Sequence, residues 1–298
     1  WCYLSSDSYR QEVRCLDTKT GVTPKTLAAV PFDATHWERV AAQKYPHGLP
    51  KPFSSDPTQW LFNGLPKGSD KPLQVAVARL LGYRWPRQTG SSFSDCPALG
   101  SDDLEKFVDD DGIACLSAIK GEEPAAKRLL TLLAAAYGKE WNTSKQTELL
   151  AQADYAGSTL EDWLRNGFFE QHCALFHHRP FIWHIWDGRK DGFSALANYH
   201  KLTKANLEKL SFTYLGDWIA RQKAAVVAGE AGSDARLQAA RDLQGELQKI
   251  LAGEPPHDIF VRWKPLEQQP IGWEPDLNDG VRLNIRPFMS AKDVGKKG

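Results

Sequence analysis

Apolar positions recur at helical spacing through the middle of the chain and at a period of two near its end. Leu207, Leu210, Tyr214 and Trp218 follow at intervals of 3, 4 and 4 residues, one face of a helix opened by Thr203 as N-cap. A Gly/Ser break at 229–233 leads into a second stripe, Leu237, Ala240, Leu243, Leu247 and Ile250. Two amphipathic helices joined by so short a break predict an antiparallel helical hairpin. Upstream, Leu73, Val77, Leu80 and Leu81 share one face behind Asp70 as cap, with Gly82 as the stop. Pro124 opens a helix through Leu129–Ala136 that ends at Gly138. Capping boxes at Thr35/Glu38 and Ser158/Glu161 open two more, the first over His36–Lys44 and the second carrying Trp163, Leu164 and Phe168.

Strand signals are fewer. Pro180–Trp186 is aromatic and β-branched, the turn DGRKDG spans Asp187–Gly192, and a second arm reaches His200, which predicts a β-hairpin at about 180–200. Val281, Leu283 and Ile285 alternate with Arg282, Asn284 and Arg286, which predicts a strand with one apolar face and one Arg-Asn-Arg face. The stretch 86–101 reads as a loop and the tail after Met289 as frayed. The expected class is α+β: a mostly helical middle with an inserted hairpin and a C-terminal strand segment. Composition shifts suggest three parts, 1–123 (loop-rich and acidic), 124–255 (helical) and 256–298.

With 298 residues, 42% of them hydrophobic, the chain can bury a core without a disulfide or metal staple. Lys+Arg and Asp+Glu are both 37, a net charge of zero, which excludes a uniformly basic nucleic-acid coat but not a local basic patch. The five cysteines, at 2, 15, 96, 115 and 173, form no CxxC pair, and reduced thiols in a cytoplasm are the expectation. No apolar run approaches the length of a membrane helix and no signal-peptide pattern is present, so no membrane partner is expected. The sequence begins at Trp1 and its one methionine is Met289, which suggests a piece of a longer chain.

Catalytic motifs are missing. There is no GxGxxG, GxxxxGK[ST], GxSxG or HExxH string. The Asn-Pro-Pro-aromatic tetrapeptide of amino-methyltransferases is also missing; the nearest string, Glu254-Pro255-Pro256-His257, lacks both the amide and the aromatic. No catalytic residue, no resident cofactor and no metal are therefore assigned. Two weaker readings remain as alternatives. His172, Cys173, His177 and His178 have spacing that could hold zinc on a helix, against a plainer reading as core and interface. Asp7 with Asp17-x-Lys19 loosely matches a Mg²⁺ nuclease, if the segment were a strand. Residues 95–124 hold nine acids and two bases; Asp109, Asp110 and Asp111 lack the spacing of a calcium loop and read as a solvated acidic loop.

Basic and aromatic residues coincide elsewhere. Residues 177–223 hold eight bases and four acids, and residues 281–298 hold five bases and one acid, a net of +4 in each. Such segments in a neutral chain fit a footprint on phosphates. The candidates for contact with duplex DNA are Arg179, Arg189, Lys190, Lys201, Lys204, Arg282, Asn284 and Arg286. Arg189 and Lys190 sit at the Gly-flanked hairpin tip, expected to project freely, and Arg282, Asn284 and Arg286 share the outer strand face.

The strings RPFIWHIWDGRKDGFSALANYHKL (179–202) and GWEPDLNDGVRLNIRPF (272–288) resemble the C-terminal part of large single-chain adenine-specific DNA methyltransferases. These are the type IIG restriction–modification enzymes and the methylases of the BREX and DISARM phage-defence systems. PLQVAVARLLGYRWP (72–86) and LEDWLRNGFFEQHCALFHHRPF (160–181) look like upstream segments of the same region. The resemblance implies S-adenosylmethionine as cofactor of the intact parent and an N-terminal methyltransferase domain, supplied by the same parent chain, as partner. It implies that this region recognises or positions duplex DNA. A structural bracing or partner-interaction module is the alternative.

Overall fold

The computed structural model describes residues 2–19, 21–46, 64–84, 102–275 and 283–290. The chain folds as two units, 1–54 and 55–298. The predicted loop at 86–101, Arg282, and the tail beyond Ser290 lie outside the described residues.

The first unit is helical: α1 (Asp7–Leu16), α2 (Pro24–Ala28) and α3 (Ala34–Lys44). Its core is small, Tyr3, Val13 and Val30, with the rings of Tyr9 and Trp37 packed on Tyr3 at centroid distances of 4.9 and 5.0 Å. The predicted helix at 36–44 is present, but Asp33 rather than Thr35 caps it, its Oδ1 accepting from the His36 N–H at 3.0 Å. A carboxylate two residues earlier is as good a cap and starts the helix at Ala34.

The second unit is built around α4 (Pro72–Leu80), all nine residues of which are buried. The expected Asp70 cap is not formed; Lys71 is the N-cap and makes no side-chain bond. Gly82 ends the helix at φ +68°, a conformation that favours glycine. Strand β1 (Ile113–Cys115) follows, then α5 (Ala125–Tyr137), α6 (Thr143–Gln152), α7 (Leu160–Asn166) and α8 (Phe168–Leu175). The capping box of α7 is Thr159/Asp162, one residue beyond the predicted pair. Leu129, Leu132, Leu133, Trp163 and Phe168 have no exposed surface; each such aliphatic side chain stabilises the fold by about 1.5–3 kcal/mol.

The predicted hairpin is present as β2 (Ile182–Trp186) and β3 (Ser194–Asn198). Its register pairs Ile182 with Asn198 and Trp186 with Ser194. β1 adds antiparallel on the other side of β3, giving the order β1-β3-β2. Every strand residue but Trp186 is buried, so both sheet faces are covered and the strands read as continuous apolar runs. The predicted helical hairpin follows. α9 (Lys204–Glu208), a π-helical turn (Lys209–Tyr214) and α10 (Leu215–Val227) form one continuous arm, and α11 (Ser233–Ala252) returns along it.

Over the described residues 283–288 the C-terminal strand is not formed. Leu283 and Asn284 lie in a helical turn that runs into a 3₁₀ turn at Arg286–Phe288. Pro287 cannot donate to a ladder, and Asn284 is drawn inward by bonds of its own. Among the described residues the segment's backbone pairing with the sheet is one bridge, Met289 to Ile185. One hydrophobic core runs from Leu73 to Met289, across both 123/124 and 255/256, so the three expected parts of the chain are not separate cores. No helix among the described residues is long and apolar enough to cross a membrane.

Candidate nucleic-acid interface

The hairpin turn is closed by its own acid. Asp187 Oδ1 accepts from the Arg189 N–H at 3.1 Å and Oδ2 from the Phe193 N–H at 2.8 Å. Arg189 is half-buried and pairs with Asp191, its Nε 3.0 Å from Oδ1. Arg236, on α11, reaches the same Asp191 carboxylate at 3.4 Å. The tip is therefore braced, not freely projecting, and its one fully exposed cation is Lys190.

At the other end of the hairpin the chain enters β2 by a sharp turn. His177 and His178 both have left-handed backbone, φ 53° and 61°. The turn is held by the His178 N–H on the Cys173 carbonyl (2.7 Å) and the Arg179 N–H on the Phe176 carbonyl (2.9 Å). Arg179 is exposed, with no ion-pair partner among the described residues. The Ile182–Asn198 pair brings the segment after β3, with exposed Lys204, to this same end.

Two predicted contact residues are structural. Lys201 Nζ donates to the carbonyl oxygens of Asp109 (2.7 Å) and Asp110 (3.3 Å). Asn284 is 8% exposed; its Oδ1 accepts from the Phe260 N–H at 3.3 Å and its carbonyl pairs with His257 Nδ1 at 3.0 Å. It does not sit on an outer face with Arg286, which is exposed. Of the eight candidates, Arg179, Lys190, Lys204 and Arg286 are thus exposed cations with no ion pair among the described residues.

The acidic run is partly buried, against expectation. Asp109, 7% exposed, accepts on Oδ1 from the N–H groups of Asp111, Gly112 and Ile113 and pairs through Oδ2 with Arg128 at 2.6 Å. The Tyr214 hydroxyl lies 2.6 Å from both Asp111 Oδ2 and Glu122 Oε1, and Lys209 Nζ is 2.5 Å from Asp111 Oδ2. Burial and the Asp111 carboxyl push Asp109 up to about 6. Burial would also raise Asp111, but bonds from Asp109, Lys209 and Tyr214 hold it down to about 2. Burial and the two carboxyls push the Tyr214 hydroxyl up. The cluster ties the π turn to the strand β1 approach. Nothing in the sequence signals it, because its partners lie about a hundred residues apart.

The alternative sites resolve differently. Asp7 and Asp17 stand at opposite ends of a ten-residue helix, about 15 Å apart by its rise, and not on a strand. Asp7 pairs with Arg10 at 3.1 Å. His172 is buried, its Nδ1 bonded to Gln74 Oε1 and its Nε2 accepting from the Ile182 N–H, both at 3.2 Å. Burial lowers it to about 3 and pushes the Cys173 thiol up to about 12. Among the described residues no three His, Cys, Asp or Glu side chains are grouped to hold a metal ion. A cavity of about 350 Å³ between α4, α6 and α8 is lined by Leu73, Leu149, Trp163 and Leu175. Its lining amides Gln74 and Gln171 already donate to the carbonyls of Phe168 and Ala153.

No family model matches the sequence. Over 227 residues the chain is 22% identical to the adenine-specific methyltransferase BrxX of Escherichia coli O9:H4 (strain HS), covering 70% of this chain and 18% of that protein. The chain therefore spans less than a fifth of the length of the curated relative it matches. It is similar, at low identity, to part of an adenine-specific methyltransferase.

Proposed function

We propose that this chain is a DNA-positioning module from the C-terminal region of an adenine-specific DNA methyltransferase of a restriction–modification or phage-defence system. The similarity to BrxX carries the reading. The four exposed cations around the sheet and its C-terminal segment, with no ion pair among the described residues, support it. A methyltransferase acting on a base inside a duplex must extrude that base, so another part of the protein has to hold the flanking duplex while stacking is lost. Lys and Arg on phosphates supply affinity and register for that task.

S-adenosylmethionine would supply the methyl group, and the residues described do not fit it. The first cavity is mainly apolar, its amides Gln74 and Gln171 are already bonded, and its charged lining is Asp70, Lys71 and Asp154. The second cavity, also about 350 Å³, is lined by Asp109, Asp110, Asp111, Glu122 and Glu123 with Arg128 and Lys209, and both cations are already paired with Asp109 and Asp111. The methyl donor is accordingly assigned to the methyltransferase domain of the parent chain.

The test is duplex affinity at several salt concentrations for Arg179→Ala, Lys190→Ala, Lys204→Ala and Arg286→Ala. Loss of each phosphate contact should weaken binding to all sequences and reduce the salt slope by about one. Unchanged affinity and slope in all four, with melting temperatures intact, would favour the bracing module instead.

A further inference from the structure

We infer that the left-handed turn His177–Arg179 is a phosphate-contacting edge, at the end of the hairpin opposite the braced tip. The inference rests on the DNA-positioning reading above. The turn's backbone bonds run from main-chain N–H groups to main-chain carbonyls, so glycine would serve at the first two positions without strain. The chain instead holds two histidines there, at φ 53° and 61°. Side chains kept in a strained backbone that does not require them mark sites where the side chain has its own task.

The surroundings say which task. His177 is exposed, and so is Arg179, two residues on, with no carboxylate paired to it among the described residues. Exposed Lys204 is brought to the same end by the Ile182–Asn198 pair. An imidazole N–H, a guanidinium and an ammonium are all donors suited to phosphate oxygens. At the other end Arg189 is neutralised by Asp191, which also receives Arg236. The open end thus carries two exposed cations with no ion pair among the described residues, Arg179 and Lys204, and it also carries the exposed Asp110 of the β1 approach.

The experiment compares His177→Gly, Arg179→Ala and Lys190→Ala in the full chain, by anisotropy of a labelled mixed-sequence duplex over a salt series, with thermal melts alongside. His177→Gly relieves strain, so its melting temperature should hold or rise, while duplex affinity falls about threefold, the effect of one phosphate contact. Arg179→Ala should fall further than His177→Gly and lose about one unit of salt slope. If the unaltered chain and Lys190→Ala behave as proposed while His177→Gly and Arg179→Ala bind like the unaltered chain, the turn is not an edge and the general reading stands. If His177→Gly melts lower, the imidazole is a packing group and the inference fails. If the unaltered chain shows no salt-dependent duplex binding, both readings fall.

Discussion

Lys201 Nζ lies 2.7 Å from the carbonyl oxygen of Asp109, and its stem runs against Gly82 and Gly112. A charge-assisted bond of this kind contributes about 1.5–3 kcal/mol. Lys201→Ala should therefore lower stability by about 2 kcal/mol in urea unfolding, with duplex affinity and salt slope unchanged. A fall in salt slope without a loss of stability would return Lys201 to the interface.

Gly82 is the complementary test. At φ +68°, a Cβ there would overlap the Lys201 ammonium. Gly82→Ala should cost more than about 1 kcal/mol, since strain and displacement of Lys201 act together. A melting temperature equal to that of the unaltered chain would show that the turn is looser than described.

Acid should weaken the second unit. Burial lowers His172 to about 3 and His184 to about 3, from an ordinary 6.5. Their contribution is fully present above pH 6.5 and is lost as pH falls toward 3, because the unfolded chain binds protons first. Asp109 acts in the opposite sense: raised from 3.8 to about 6, it contributes most below its ordinary value and loses that contribution as pH rises through 6. The large shifts of the two histidines outweigh the raised Asp109 and Asp187, so stability should rise between pH 4 and 6.5. His172→Gln should flatten that rise in urea titrations at a series of pH values; an unchanged slope would count against the buried neutral imidazole.

The start of α7 separates two neighbouring hydroxyls. Thr159 Oγ1 accepts from the Asp162 N–H at 3.1 Å, and the Thr159 N–H donates to Asp162 Oδ2 at 3.3 Å. Thr159→Ala should cost about 1 kcal/mol, and Ser158→Ala less than about 0.5 kcal/mol. Equal losses in thermal melts would place the box at the residue that spacing alone suggests.

The helical hairpin and the β2–β3 hairpin were legible because each carries its periodicity within one continuous stretch. Leu207, Leu210 and Tyr214 are all buried as their spacing requires, even through a π turn that spacing does not reveal. β1 was not legible: three residues in an acidic context form a strand only because β3 offers them an edge. The alternation at 281–286 misled, since Asn284 gains more from Phe260 and His257 than a ladder would give it. The same limit applied to the interface. Exposure of Arg179, Lys190 and Lys204 follows from local sequence, whereas the capture of Lys201 depends on carbonyls some ninety residues away.

The single bridge between Met289 and Ile185 has a consequence for solubility. β2 is an outer strand of the sheet, and its free rim holds main-chain groups that would template another chain. Met289 occupies that rim, and Ser290 Oγ reinforces it through His184 Nδ1 at 2.7 Å. The C-terminal segment thus covers that rim at Ile185 and His184. A chain shortened before Leu283 would lose that cover and expose the apolar run Ile182–Trp186 to its own copies.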